Sequence, residues 1–251
     1  MFKVLRLLTA GESHGPALTA VLDGWPAGIE LDETVVAANL ARRQAGYGRG
    51  GRMKIERDAV TFLGGVRFGR TTGAPVAIQV RNRDHANWGE VLAPFGDPGE
   101  GDARRLTRPR PGHADLVGML KYGHDDARDV LERASARETA ARVAAGEVTR
   151  ALLAGVGVQV FSHVMRIGAV EADLQGLDDA TIRERAARSE VSSAAAEAEM
   201  KAEIDGAREH GDTVGGIFEV VVTGLPVGLG SCMAPDRRLD ARLAMASLSV
   251  P

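Results

Sequence analysis

A chain of 251 residues, 44% hydrophobic and 26% charged, is long enough to bury a sizeable core, and its composition excludes a disordered or fibrous protein. A net charge of −3 opposes bulk attraction to nucleic acid or membrane, and the single cysteine, Cys232, excludes an intramolecular disulfide and fits a reducing compartment. No apolar run has membrane length and no charged-then-apolar leader precedes Lys3, so a cytoplasmic protein with neither nucleic-acid nor membrane partners is expected; 31 glycines favour a loop-rich α+β architecture.

In chain order, Lys3–Ala10 and Ala17–Leu22 read as strands around the turn Gly11-Glu12-Ser13-His14-Gly15-Pro16. Asp32 is placed to cap a helix through Gln44, with Val35, Val36 and Leu40 on one face. The helix runs into a glycine- and arginine-rich loop, Arg42 to Arg52. Met53–Arg57, Ala59–Leu63 and Pro75–Arg81 alternate as strands of an antiparallel sheet, and Pro94–Gly112 is a long Gly/Pro/Arg loop. Ser135-Ala136-Arg137-Glu138 has capping-box spacing and opens a helix to about Leu153 with a small-residue stripe. A strand over Val156–Val164, helices over Asp178–Ser189 and Ser193–His210, a strand over Val214–Val222 and a helix over Asp236–Ser247 complete the chain.

Two histidines sit in glycine-flanked turns, His14 and, in Arg110-Pro111-Gly112-His113-Ala114-Asp115, His113. In such turns backbone approaches a ligand closely and an imidazole is seldom core filler, although a turn histidine bonded to backbone is the blander reading. Asp115 is placed either to orient His113 or to cap the helix that follows. Arg110 beside His113 is a cation that disfavours the imidazolium until an anionic ligand arrives. Arg42, Arg43, Arg49 and Arg52 divide evenly between solvated surface and the bidentate grip of a multiply charged anion. His85, His124, His163 and His210 carry weaker signals, and no spacing marks a metal site. No phosphate loop occurs and no dinucleotide G-x-G-x-x-G follows a strand, since Gly46–Gly51 has that spacing but follows a helix; Gly11-Glu12-Ser13-His14-Gly15 has the G-x-S-x-G spacing but joins two strands, so it is no esterase elbow.

These segments together resemble the chorismate synthase family. The resemblance is carried by Gly11–Pro16 followed by Asp23-Gly24-Trp25-Pro26, by the Arg42–Arg52 loop running into Met53-Lys54-Ile55-Glu56, and by Gly73-Ala74-Pro75. It continues through Arg110–Asp115 with Lys121-Tyr122, Glu132–Thr139, Gly211–Gly216, Gly224–Gly230 and Leu239–Leu243, in the family's order. The resemblance implies anti-1,4-elimination of phosphate from 5-enolpyruvylshikimate 3-phosphate to give chorismate, dependent on reduced FMN. It implies a β-α-β sandwich with helices packed between antiparallel sheets, and a homotetramer. By position, His14 would protonate the departing phosphate and His113 the reduced flavin near N1. Arg43, Arg49, Arg110 and Arg137 would hold substrate anions, and Arg43 and Arg49 are also the NADP positions, with NADPH as one source of reducing equivalents. Arg133, Ala134 and Ser135 would lie against FMN; many relatives carry serine at position 134.

The family pattern continues past Pro251 with Arg-Thr-Asn, Lys-Pro-Ile-Pro-Thr and Arg-Ser-Asp segments. The expectation is therefore one chorismate synthase domain over residues 1–251 with an incomplete second half, exposing apolar surface, binding FMN weakly and inactive or nearly so alone. An inactive fragment acting as an association module is the alternative. An RNA-binding Arg/Gly/Tyr loop and a phosphate-transfer enzyme rank below both, the first opposed by the acidic balance and the second by the missing phosphate loop.

Overall fold

A computed structural model of the chain describes residues 5–50, 55–96 and 105–250. The chain forms two compact units, the larger from Met1–Ala41, Lys54–Leu152 and Val227–Pro251 and the smaller from Arg42–Met53 and Leu153–Pro226. Arg52, Met53, Lys54, Lys3 and residues 97–104 of the long loop lie outside the described residues.

The larger unit opens with β1 (Arg6–Ala10) and β2 (Ala17–Asp23), then the helix α1 (Glu33–Gln44). Asp32 caps that helix, its Oδ1 accepting the Thr34 amide at 2.8 Å. Val36 and Leu40 are buried as the periodicity requires, whereas Val35 is exposed. Next come β3 (Val60–Gly64), the short pair β4 (Val66–Arg67) and β5 (Arg70–Thr71), and β6 (Val76–Arg81). The expected strand over Met53–Arg57 is not one in its described part: Glu56 is buried, and its carboxylate accepts the Arg83 amide at 2.9 Å instead of facing outward from a ladder.

The sheet order is β1-β2-β6-β3, antiparallel throughout. Leu18, Ala20 and Leu22 of β2 lie opposite Val80, Ile78 and Val76 of β6, so period-2 alternation sends all six to one buried face. Two helices follow, α2 (Asp115–Tyr122) and the single turn α3 (Arg128–Leu131), and then α4 (Thr139–Ala154). Helix α4 lays Ala140, Ala141, Ala144, Ala145 and Val148 onto that face, where small side chains let helix and sheet approach closely. The capping box forms differently from its spacing. Ser135 Oγ accepts the Arg137 amide and opens a 3-10 turn at Ala136–Glu138, while the Glu138 carboxylate turns to Arg142 and Thr9.

In the smaller unit, β7 (Gln159–Ile167) pairs with the two-residue β8 (Val170–Glu171) across a hairpin. Two helices follow, α5 (Asp179–Arg188), capped by Asp178 through the Thr181 amide, and α6 (Glu197–Glu209), where Lys201 pairs with Glu197 at 2.9 Å. Strand β9 (Gly216–Thr223) then pairs antiparallel with β7, from Gln159↔Thr223 to Ile167↔Gly216, leaving Ile217, Phe218 and Val220 exposed. The last helix, α7 (Leu239–Leu248), belongs to the larger unit. The architecture is α+β, and no helix among the described residues is long and apolar enough to cross a membrane.

Candidate active site

The turn between β1 and β2 is built around a glycine that no other residue can replace. Gly11 has φ +103°, and a Cβ there would sit 2.3 Å from the Ala17 carbonyl oxygen. Beyond it the chain is held at nearly every residue. Asn82 donates its amide hydrogens to the carbonyls of Glu12 (3.0 Å) and Gly15 (2.8 Å), and its backbone N–H donates to Pro16 (3.1 Å). His85 Nδ1–H donates to the His14 carbonyl at 2.9 Å, and the Ser13 amide donates to the Glu132 carbonyl at 2.9 Å.

The His14 imidazole is therefore presented from a fixed backbone, its side chain 21% exposed. Nδ1 lies 2.8 Å from Glu132 Oε2 and 3.0 Å from Oε1, and the same carboxylate accepts the His14 amide at 2.9 Å. Glu132 is buried, and Arg128 Nη1 donates to its Oε1 at 3.1 Å. Trp88 packs on the imidazole with centroids 4.4 Å apart, and the Arg128 guanidinium lies 4.9 Å from the Trp88 centroid. On the opposite side of the ring, Nε2 is 3.7 Å from Asp84 Oδ2, too far for a hydrogen bond.

His113 stands in a second built cluster. Asp115 is fully buried and accepts from the Arg110 backbone N–H and Nε, both at 3.0 Å, while its Oδ1 meets His113 Nδ1 at 2.5 Å. Arg110 Nη2 lies against the imidazole, 3.1 Å from Nδ1 and 3.3 Å from Nε2. The Arg110 hydrogen bond, foremost, holds the Asp115 carboxyl down at about 2. Of the two roles open to Asp115, the contact with His113 is observed, and the N-cap position of α2 is taken by Ala114. The anion that offsets Arg110 is thus this resident carboxylate.

The segment Arg133-Ala134-Ser135 adjoins the His14 turn through Glu132. Arg133 Nη2 donates to the Thr9 carbonyl (3.1 Å) and hydroxyl (2.7 Å), with its side chain 42% exposed. Ser135 Oγ donates to Ser13 Oγ at 3.1 Å. Arg137, expected to face substrate, is instead buried. Its Nη1 pairs with Asp58 at 2.6 Å, its Nη2 lies 3.6 Å from Glu56, and its Nε donates to Asn82 Oδ1 at 2.9 Å. A guanidinium desolvated this far needs resident carboxylates, and it has two.

Arg43 and Arg49 belong to the smaller unit. Arg49 is exposed on a loop fastened to its own unit through Tyr47, whose amide donates to the Glu190 carbonyl (2.9 Å) and whose hydroxyl donates to Asp205 (2.7 Å). Gly48 packs on Ile204, and Arg42 Nη2 donates to the Ser162 carbonyl. Sequence reasoning did not single out Glu132, Asn82, Asp84 or Trp88. Glu132, three residues before the Ser135 cap, carries no local signal, and its partner lies 118 positions away.

The family model of chorismate synthase matches residues 5–251. The chorismate synthase of Geobacter metallireducens is 55% identical over 249 residues, covering 98% of this chain and 63% of its own length. That of Nocardia farcinica is 56% identical over 265 residues, covering 100% of this chain and 64% of its own length. A crystal structure of chorismate synthase superposes with a TM-score of 0.78 at 38% identity, covering 100% of this chain and 66% of that one. This chain therefore spans 63–64% of the length of those two relatives. On sequence along its full described length and on fold, the chain belongs to the chorismate synthase family.

Proposed function

We propose that the chain carries proton-handling and anion-binding residues for anti-1,4-elimination of phosphate from 5-enolpyruvylshikimate 3-phosphate to chorismate, with reduced FMN as cofactor. The observation that carries this reading is His14, an imidazole locked at Nδ1 by a buried carboxylate with Nε2 on its other side. Phosphate leaves more readily when protonated as its C–O bond breaks, and a positioned imidazolium N–H supplies that proton. Arg43, Arg49 and Arg110 supply the cations that a phosphate and two carboxylates require. Arg137 contributes from beneath by holding Asn82, and so the His14 turn, since its guanidinium is already engaged.

The residues expected at the flavin fit an anionic, hydrogen-bonding group. Arg133 is half-exposed, its Nη2 donating to Thr9 and lying 3.8 Å from Glu138 Oε1, and the hydroxyls of Ser13 and Ser135 adjoin each other. Arg133, Ala134 and Ser135 would hold it; when bound, reduced FMN supplies electron density to the ring as phosphate departs. His113, held at Nδ1 by Asp115, would exchange its proton on the flavin side through Nε2, against which Arg110 Nη2 lies at 3.3 Å. NADPH bound through Arg43 and Arg49 is a second source of reducing equivalents. We take the two units as parts of one catalytic domain, cytoplasmic and homotetrameric as in the family reading.

The test is anaerobic conversion of 5-enolpyruvylshikimate 3-phosphate with dithionite-reduced FMN. It compares the chain, the chain extended by a relative's C-terminal segment, and the extended His14→Ala variant. Turnover in the extended protein, reduced about 10²- to 10⁴-fold by His14→Ala, is expected for a lost general acid. Full activity in that variant removes His14 from the mechanism.

A further inference from the structure

We propose that Glu132 is the positioning residue of His14: it keeps the ring proton on Nδ1 in the neutral imidazole and so reserves Nε2 as the atom that exchanges a proton with the departing phosphate. The first half rests on geometry alone, and the second rests on the function proposed above.

Three donors converge on the Glu132 carboxylate: the His14 backbone N–H at 2.9 Å, Arg128 Nη1 at 3.1 Å and His14 Nδ1 at 2.8 Å. The first two have no acceptor capacity, so the carboxylate meets them as an acceptor, and an ionised carboxylate offers nothing else to Nδ1. Nδ1 must then carry a hydrogen whether the ring is neutral or charged. The Nε2–H form would set a nitrogen lone pair against a buried carboxylate oxygen, a costly arrangement away from water. Rotation about the ring axis offers no escape. Trp88 covers the imidazole at 4.4 Å, Arg128 backs Trp88, and the backbone bond from the His14 amide to the same carboxylate pins the side chain's origin. On the far side Asp84 stops 3.7 Å short, so Nε2 is directed but not occupied by it. The proton inventory follows. When imidazolium Nε2–H gives its proton to the phosphate oxygen, the ring is left as the Nδ1–H tautomer with its hydrogen bond to Glu132 intact, and no second proton moves.

The experiment is long-range 1H–15N correlation on the 251-residue chain labelled with 15N-histidine, at a pH where the imidazoles are neutral, with His14 assigned from the His14→Ala spectrum. Free histidine favours the Nε2–H form. The proposal expects His14 inverted to Nδ1–H, by about tenfold or more, the factor a hydrogen bond to a charged group confers. In Glu132→Gln, whose amide offers donors as well as an acceptor, that excess falls toward parity or reverses while the His85 and His163 signals stay in place. Neutral His14 found as Nε2–H in the unaltered chain overturns the proposal even if the variant does not fold. An unchanged tautomer ratio in folded Glu132→Gln overturns it too. Neither reading needs substrate or flavin, so a failure of the elimination assay counts against the reaction and not against the tautomer.

Discussion

Arg137 Nε donates to Asn82 Oδ1 at 2.9 Å, and this contact reaches the His14 turn through a single amide group. The oxygen of Asn82 faces the guanidinium, so its two N–H groups point the other way, to the carbonyls of Glu12 and Gly15. Asp58 and Glu56 balance the guanidinium charge. The start of the helical segment at Ser135 thereby sets the backbone of a turn more than a hundred residues earlier. Through Asn82, Arg137 braces the geometry of the His14 turn.

Asn82→Asp keeps the shape and an acceptor for Arg137 but deletes both donors to the turn and adds a third carboxylate beside one guanidinium. Leaving buried carbonyls unpaired costs about 1–3 kcal/mol each. Urea denaturation of the chain is expected to show a loss of about 2 kcal/mol or more. A midpoint matching the unaltered chain contradicts the bracing role.

The Asp115 carboxyl is held down at about 2, below its ordinary 3.8, by the Arg110 side chain first and by the Arg110 amide and His113 as well. A depressed folded-state value means the stabilisation is fully present above about pH 4 and is lost as pH falls through about 2. Urea midpoints between pH 7 and pH 2 are expected to fall along this limb. In Asp115→Asn the limb flattens, and the variant is already less stable at pH 7. An acid limb of equal steepness in both proteins rules Asp115 out as its source.

Gly118 lies on α2 where a Cβ would stand 2.4 Å from Val130 Cγ1 and 3.1 Å from Val130 Cβ. Alanine is favoured over glycine in a helix by about 1 kcal/mol, but overpacking costs about 1–3 kcal/mol and branched Val130 has little freedom to yield. Gly118→Ala is expected to be destabilising, and Val130→Ala in the same chain is expected to recover part of the loss. The double-mutant cycle checks this; strictly additive effects exclude the clash.

The Tyr47 hydroxyl donates to Asp205 at 2.7 Å, and that bond raises the phenol's ionisation above the ordinary tyrosine range. Tyr47→Phe removes one anchor of the loop carrying Arg49 while Lys201 remains over the ring. Amide exchange over residues 45–50 is expected to quicken about fivefold, as loss of a bond worth about 1 kcal/mol implies, with the sheet of β7 and β9 unaffected. Unchanged protection in the loop shows that the Tyr47 amide and Gly48 packing hold it alone.

Local pattern in the chain was enough for the elements that bury one face. The apolar run of β2, the alternation of β6, the Asp32 cap, the small-residue stripe of α4 and the glycine turns at His14 and His113 are all short-range signals, each read within a few residues. Ordered motifs from Gly11 to Leu243 likewise carried the family. Tertiary structure alone decided who partners whom. A carboxylate such as Glu132 looks like any helix-start acid until the fold sets it against His14, and Arg137 looks like a ligand-facing cation until Asp58, Glu56 and Asn82 close around it. Glu56, read as part of a strand, left the ladder for the same reason: a charge taken out of water must find its partners, and those partners are distant in sequence.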